Sequence, residues 1–231
     1  IAAPLAVIHG YNAVAEGERR FAQSLARHVE RWYGESGVAV SFSDDTDLPR
    51  ALAGKRVAAL VYMANPDRAQ VEALAGFVGR GGKLLVFYSS SPELAALMGM
   101  RSVGYQKGGT EGRWSMMRFI EPRPRGVPEA IRQTSSNIFL VEPLPGRSQV
   151  LAWWHDRQGR RTGDAAWLAS PAGYWMTHVL LADGDSEAKG KLLLAFAGAH
   201  DPTLWEPAAA AVLRKARRVG GGIQAMSTAA G

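Results

Sequence analysis

Residues 70–100 carry an amphipathic helix, a glycine turn, a short apolar strand and the start of a second helix, and few architectures accommodate that order. Val71, Leu74, Ala75 and Val78 recur at helical spacing, and Gly79-Arg80-Gly81-Gly82 ends the helix and turns the chain. Leu84-Leu85-Val86-Phe87 is apolar without alternation, as a strand buried on both faces must be. Ser89-Ser90-Ser91-Pro92-Glu93 then supplies helix-start chemistry. The same rhythm fills the first hundred residues: strands over 4–9, 38–42 and 57–63, and a helix over 16–33 with Phe21, Leu25, Val29 and Trp32 on one face. Repeated strand–helix units demand right-handed crossovers, so the predicted fold is α/β and flavodoxin-like, a mostly parallel sheet with helices on both faces.

After Gly99 the rhythm changes. Gly108, Gly109 and Gly112 mark a loop, and residues 115–121, 137–142, 149–155, 164–169 and 174–182 read as extended segments joined by Pro and Gly turns. Short links cannot join parallel neighbours, so these strands add an antiparallel extension to the sheet. The clearest hairpin turn is 156–159. Helices return over 186–199 and, after Asp201-Pro202, over 203–218 with a break expected at Pro207. Residues 219–231 are glycine, alanine and small polar groups, which predicts one domain over 1–218 and a flexible tail or linker over 219–231.

The helix at 71–78, the glycine turn, the Leu84 to Phe87 run and the tight re-entry into a helix resemble the centre of class I glutamine amidotransferase-like domains. Tyr174-Trp175-Met176-Thr177-His178-Val179-Leu180-Leu181, the helix at 187–199 and Asp201-Pro202-Thr203-Leu204-Trp205 resemble the end of such domains where they precede glycosidase-like barrels in bacterial secreted proteins. The resemblance implies an accessory module of a polysaccharide-acting protein, with a saccharide, a C-terminal glycosidase-like domain or further copies of the chain as partners. It also implies an extracytoplasmic setting. The family's chemistry needs a thiolate at the turn after the central strand, and this chain has no cysteine. Glutaminase activity is thereby excluded, and the resemblance is to a pseudoenzyme.

An apolar content of 47% with 21% charged residues suits a globular core, and the longest apolar runs are too short to span a bilayer as a helix. The net charge of +6 comes mostly from scattered arginines. Arg157, Arg160 and Arg161 flank a hairpin glycine, while Arg214, Lys215, Arg217 and Arg218 close the last helix, where cations complement its dipole. Neither group interleaves aromatics as a nucleic-acid surface does, so neither nucleic acid nor membrane is an expected partner. The chain opens with Ile1 rather than methionine, which fits a removed leader.

In an open parallel sheet, ligands bind beyond the carboxyl ends of the strands. His9, Tyr11, Asn12, Asp44, Asp45, Asn65 and Ser89 fall there, and hydroxyl, amide and aromatic groups together suit a neutral polyhydroxyl ligand. The competing reading is that Asp44, Asp45 and Asn12 cap helices while Tyr11 covers the edge of the core. The serines carry two readings as well. Ser90 with Glu93 forms a capping box, or Ser91 before Pro92 forms the N-cap. Alternatively, Ser89 or Ser90 is a nucleophile served by His178 or His9, although glycines of the kind that flank a nucleophile elbow are missing. His178 occupies the neighbourhood of the family's catalytic histidine, but Val179-Leu180 follow it where the family has proline and an acid. His28, His155 and His200 stand apart from one another, and no spacing suggests a metal site or a bound cofactor. Of the adjacent Trp153 and Trp154, one must face away from the other across the sheet, which offers an aromatic surface to a partner subunit or domain.

Overall fold

A computed structural model describes residues 3–108 and 112–229, with side chains as far as Arg217. The elements in chain order are β1 (Leu5–His9), α1 (Arg19–Glu35), β2 (Val40–Asp44), α2 (Leu48–Leu52), β3 (Val57–Val61), α3 (Arg68–Gly79), β4 (Lys83–Phe87), α4 (Pro92–Leu97), β5 (Met100–Lys107), β6 (Trp114–Phe119), β7 (Ala130–Ser135), β8 (Asn137–Pro143), β9 (Gln149–His155), β10 (Arg161–Ser170), β11 (Gly173–Met176), α5 (Ser186–His200) and α6 (Trp205–Ala229). Nine strands form one sheet in the order β2-β1-β3-β4-β11-β10-β9-β6-β7, and β5 pairs with β8 in a separate ribbon. The first five are mutually parallel and the rest add antiparallel. This is the mixed α/β fold that the alternating sequence predicts.

The parallel strands send successive side chains to opposite faces. Leu5, Val7, Ala59, Val61, Leu85 and Phe87 join the layer beneath α1 and α5, with Trp32 and Phe196. Ala6, Ile8, Ala58, Leu60, Leu84 and Val86 join the layer beneath α2, α3 and α4, with Leu74 and Phe77. Both faces of β1, β3 and β4 are therefore covered, which is why those runs carry no polar alternation, whereas the edge strand β2 is half-buried and alternates. Strand β11 enters beside β4 through Gly173, whose φ is +137° and where a Cβ would sit 1.9 Å from the Leu84 carbonyl oxygen. Only glycine fits there.

Several expectations shift. Strand β2 starts at Val40, two residues later than expected. Phe21 is 51% exposed instead of sharing the buried face of Leu25, Val29 and Trp32. Helix α2, capped by Asp47, and strands β5 and β7 are additional to the expected elements: β5 is mostly exposed, and two of the three buried positions of β7 are polar, Gln133 and Ser135, so neither shows an apolar alternation. Ser91 caps α4 by accepting from the Leu94 N–H, with Pro92 at the first position, so the Ser90–Glu93 box does not form. Strand β11 ends at Met176, which leaves His178 in the loop beyond it. Pro207 falls in the first turn of α6, where no backbone donor is needed, and the helix does not break. The backbone of 219–229, read as a tail, is helical; residues 230 and 231, like 109–111 of the glycine loop, lie outside the described residues.

The free edge of β7 is closed by the loop after β11. Asp185 and Asp183 accept from the Arg132 and Thr134 backbone N–H groups, and the Gln133 amide bridges the Val179 carbonyl and the Leu181 N–H. Buried Lys189 of α5 donates to the Leu181 carbonyl and to Asp183, which fixes that loop from behind.

Candidate functional site

The loops after β1, β2, β3 and β4 bring most of the expected rim residues to one edge, but most of their polar side-chain atoms, Asn12 apart, are already engaged. Asp45 is 2% exposed and its carboxylate accepts the N–H groups of Tyr11 at 3.0 Å, Asn12 at 2.7 Å and Ala13 at 2.9 Å. It braces the loop after β1 rather than facing solvent. Asp44 accepts from the backbone N–H and the hydroxyl of Thr46. Asn65 accepts from the Ser90 hydroxyl, and its backbone N–H bonds the Ala13 carbonyl. Tyr11 is exposed beneath the Arg19 guanidinium. Asn12 offers its side chain to solvent, and His9 is buried against the Phe42 ring with Nδ1 at the Gly10 carbonyl.

The serine–histidine pairings are not formed. Ser89 donates to the Ala64 carbonyl and accepts the Ser91 N–H. Ser90 donates to the same carbonyl and to Asn65. The polar neighbours of His178 Nδ1 are instead the Val179 carbonyl at 3.1 Å, Ser135 Oγ at 3.2 Å and Gln133 Nε2 at 3.4 Å. Burial pushes the His178 pKa down to about 4, so the ring is neutral near pH 7.

The concave part of the rim lies one step further along the sheet. Tyr62 and Tyr88 are the first residues beyond β3 and β4, and both hold left-handed backbones, with φ of 56° and 58°. Such values cost a non-glycine residue roughly 1–3 kcal/mol and persist only where packing enforces them. Here the enforcing contacts are ladder bonds, Tyr62 N–H to the Phe87 carbonyl and Tyr88 N–H to the Met176 carbonyl, followed by ring stacking at 4.9 Å and 18°. Tyr88 thus stands at the sharp strand-to-helix turn itself, ahead of the serines. Its hydroxyl donates to Asn137, and the edge of its ring meets His178 at 5.3 Å. Burial, then the neighbouring phenols, pushes the Tyr88 pKa up; burial and then Glu18 do the same at Tyr62. Neither phenol is a nucleophile at neutral pH.

These residues line a crevice of about 620 Å³, with Phe21, Asn137, Arg157 and His178 contributing to its walls. An unbroken row of rings starts in it and runs on past its wall: Phe21–Tyr62 at 5.7 Å and Tyr62–Tyr88 at 4.9 Å line the crevice, and Tyr88–Phe139 at 4.5 Å and Phe139–Tyr105 at 5.6 Å continue the row outside it. Its ends, Phe21 and Tyr105, are 51% and 53% exposed. None of Tyr62, Tyr88, Asn137 or Arg157 stood out in the sequence as a ligand group. A signal existed, because a tyrosine closes the apolar run of two successive parallel strands, at Val61-Tyr62 and Phe87-Tyr88. A larger depression of about 770 Å³ between α1, α5 and α6 is walled by Trp32, Leu194, Trp205 and Val212. It lies on the helical face, away from the strand ends. Among the described residues, no three His, Cys, Asp or Glu side chains converge as metal ligands.

No protein-family profile matches the chain, and no curated protein matches it. Solved structures do. A cold-adapted β-galactosidase from Rahnella sp. R3 is 15% identical over 86% of this chain and 31% of its own, with a TM-score of 0.60. A ThuA-like protein from Bacteroides uniformis is 14% identical over 84% of this chain and 90% of its own, with a TM-score of 0.59. A GMP synthase component from Thermoplasma acidophilum is 12% identical over 93% of this chain and 98% of its own, with a TM-score of 0.54. At such identity the likeness establishes the fold, which is glutamine amidotransferase-like. The chain spans about a third of the length of the β-galactosidase it matches.

Proposed function

We propose that this chain is a non-catalytic, amidotransferase-like accessory module of a bacterial polysaccharide-acting protein, and that the crevice beside Tyr88 holds a saccharide. The row of rings from Phe21 to Tyr105 carries the reading. Sugar CH faces pack on such rings, while hydroxyls find Asn137 and the Ser135 and Ser136 hydroxyls along one wall. The turn where the fold's enzymes hold a nucleophile is occupied by a phenol already bonded to Asn137, beside a neutral histidine. The likeness in fold to the β-galactosidase, and to an exo-β-1,4-mannosidase, supports the carbohydrate setting, with a catalytic domain elsewhere in a longer polypeptide.

Calorimetric titration with oligosaccharides tests this. Because Phe21 and Tyr105 are half exposed, their alanine variants keep the fold, and each lost stacking contact is expected to weaken binding about tenfold, close to 1.4 kcal/mol. Binding untouched by either variant refutes the site. Labelling of Ser89 or Ser90 by a fluorophosphonate probe, lost in the matching alanine variant, would replace the module with a serine hydrolase.

A further inference from the structure

The crevice is rich in rings but holds little charge, and the charge it holds has one sign. Among the described residues that line it, Arg157 is the charged one, and no carboxylate joins it. Nearby arginines are committed: Arg113 pairs with Asp164 at 2.9 Å, Arg160 pairs with Asp156 at 2.9 Å, and Arg161 lies 3.7 Å over the Trp153 ring. Among the described residues no carboxylate stands within ion-pair distance of Arg157.

Its position is built. The turn between β9 and β10 is closed by Asp156, whose carboxylate takes the Gln158 and Arg160 N–H groups, so the backbone carrying Arg157 is fixed. The stem packs against the backbone at Gly112, where φ is +67° and a Cβ would lie 2.2 Å from Arg157 Nε and 2.6 Å from its Cγ. A side chain at 112 would displace the guanidinium from the crevice. The opposite end is polarised the other way, because Glu18 accepts the Tyr62 hydroxyl near Phe21.

We infer that the saccharide held in this crevice is acidic, a uronic-acid oligosaccharide whose carboxylate pairs with the Arg157 guanidinium while its neutral residues stack toward Tyr62 and Phe21. The inference rests on the saccharide reading above and narrows it. A planar guanidinium fork matches a carboxylate through two parallel hydrogen bonds, and the Asn137, Ser136 and Thr134 side chains supply neutral donors for the ring hydroxyls. Glu18 would repel the carboxylate from the far end, which fixes the direction in which the chain lies.

Calorimetry with trisaccharides that carry one terminal galacturonic, glucuronic or mannuronic acid residue on two neutral residues, each beside its carboxyl-reduced counterpart, separates charge from stereochemistry. At least one uronide is expected to bind about tenfold or more tighter than its reduced partner. Arg157→Gln should abolish that difference and leave the reduced sugar's affinity unchanged, and Arg157→Lys should keep part of it. Since the chain carries a net charge of +6, Arg125→Gln serves as the control for unspecific attraction. Equal loss in both glutamine variants overturns the inference. Reduced sugars that bind as well as uronides overturn it while leaving the saccharide reading intact, and so does selective binding of a sulfated neutral oligosaccharide. Failure of every sugar to bind overturns both.

Discussion

Asp45 decides between a ligand group and a brace, and its replacement by alanine has a calculable cost. Its carboxylate holds three backbone N–H groups. Ala13 is buried, so its donor would lose its partner with no water to replace it, at about 2 kcal/mol; Tyr11 and Asn12 are exposed and rehydrate, at about 0.5–1 kcal/mol each. The sum is about 3–4 kcal/mol. Unfolding entropy near 2.1 cal/mol/K per residue over 231 residues gives about 0.5 kcal/mol/K, so the Tm should fall by about 6–8 °C. Asp45→Asn keeps one acceptor oxygen but turns an amide donor toward a backbone donor, and should lose about half as much. Scanning calorimetry reads both, and limited proteolysis at residues 10–14 should quicken in step. An alanine variant that melts within 1–2 °C of the parent refutes the brace, and one that keeps its Tm yet loses saccharide binding returns Asp45 to the ligand set.

Gly173→Ala forces a Cβ into the Leu84 carbonyl at a φ of +137°, so the urea midpoint should drop by the equivalent of about 3 kcal/mol or more, and a parental midpoint would contradict the β4–β11 junction described here. His178 is depressed to about 4 in the folded state against 6.5 unfolded, so the unfolded chain binds the extra proton between those values and stability falls as pH drops from about 6.5 to 4, by about 3 kcal/mol. His200 is depressed to about 4 by burial and then Lys83, and adds in the same window; a double His178→Asn, His200→Asn variant should flatten the pH profile measured by urea titration, and an unchanged slope would refute the assignment. Lys189→Met removes both bonds from α5 to the loop after β11, so amide exchange over 179–185 and at Arg132 and Thr134 should speed up about tenfold or more, whereas unaltered exchange would mean that the bonds to β7 alone hold the loop.

The parallel half was legible because burial on both faces removes polar residues from β1, β3 and β4, and Asp67 and Ser91 cap α3 and α4 through their own side chains. Where one face is wet the signal weakened. Strand β5 has one buried residue, Met100, and pairs only with β8, so its sequence resembles a loop. Strand β7 is an edge, and what fastens it is a set of side chains about fifty residues further on, Asp183 and Asp185, which no local pattern announces. Trp153 and Trp154 obeyed the strand rule, with Trp154 buried and Trp153 lying beneath Arg161, so the expected aromatic surface is already covered by a cation from the neighbouring strand.

The expected rim residues gather at the strand ends with most of their polar side-chain atoms engaged, for a reason that concerns competition for polar atoms. Backbone donors at strand ends must be paired, and the nearest acceptors are the same Asp, Asn and Ser side chains that would serve a ligand. Asp45, Asn65, Ser89 and Ser90 answer that demand first. Under the saccharide reading proposed above, a ligand is left with groups that close no turn, and those are the rings, because a phenyl or phenol face has no stake in backbone pairing. Tyr62 and Tyr88 pass their N–H groups to the ladder while turning their rings into the opening between β3, β4 and the loop after β11. The strained backbone at both positions sets two tyrosine rings against each other at the heads of adjacent strands. A serine or cysteine placed at position 88 would inherit the geometry but lose the stacking that enforces it, and would find in His178 a weak base, its pKa lowered to about 4 by burial and its Nδ1 already at Ser135 and the Val179 carbonyl.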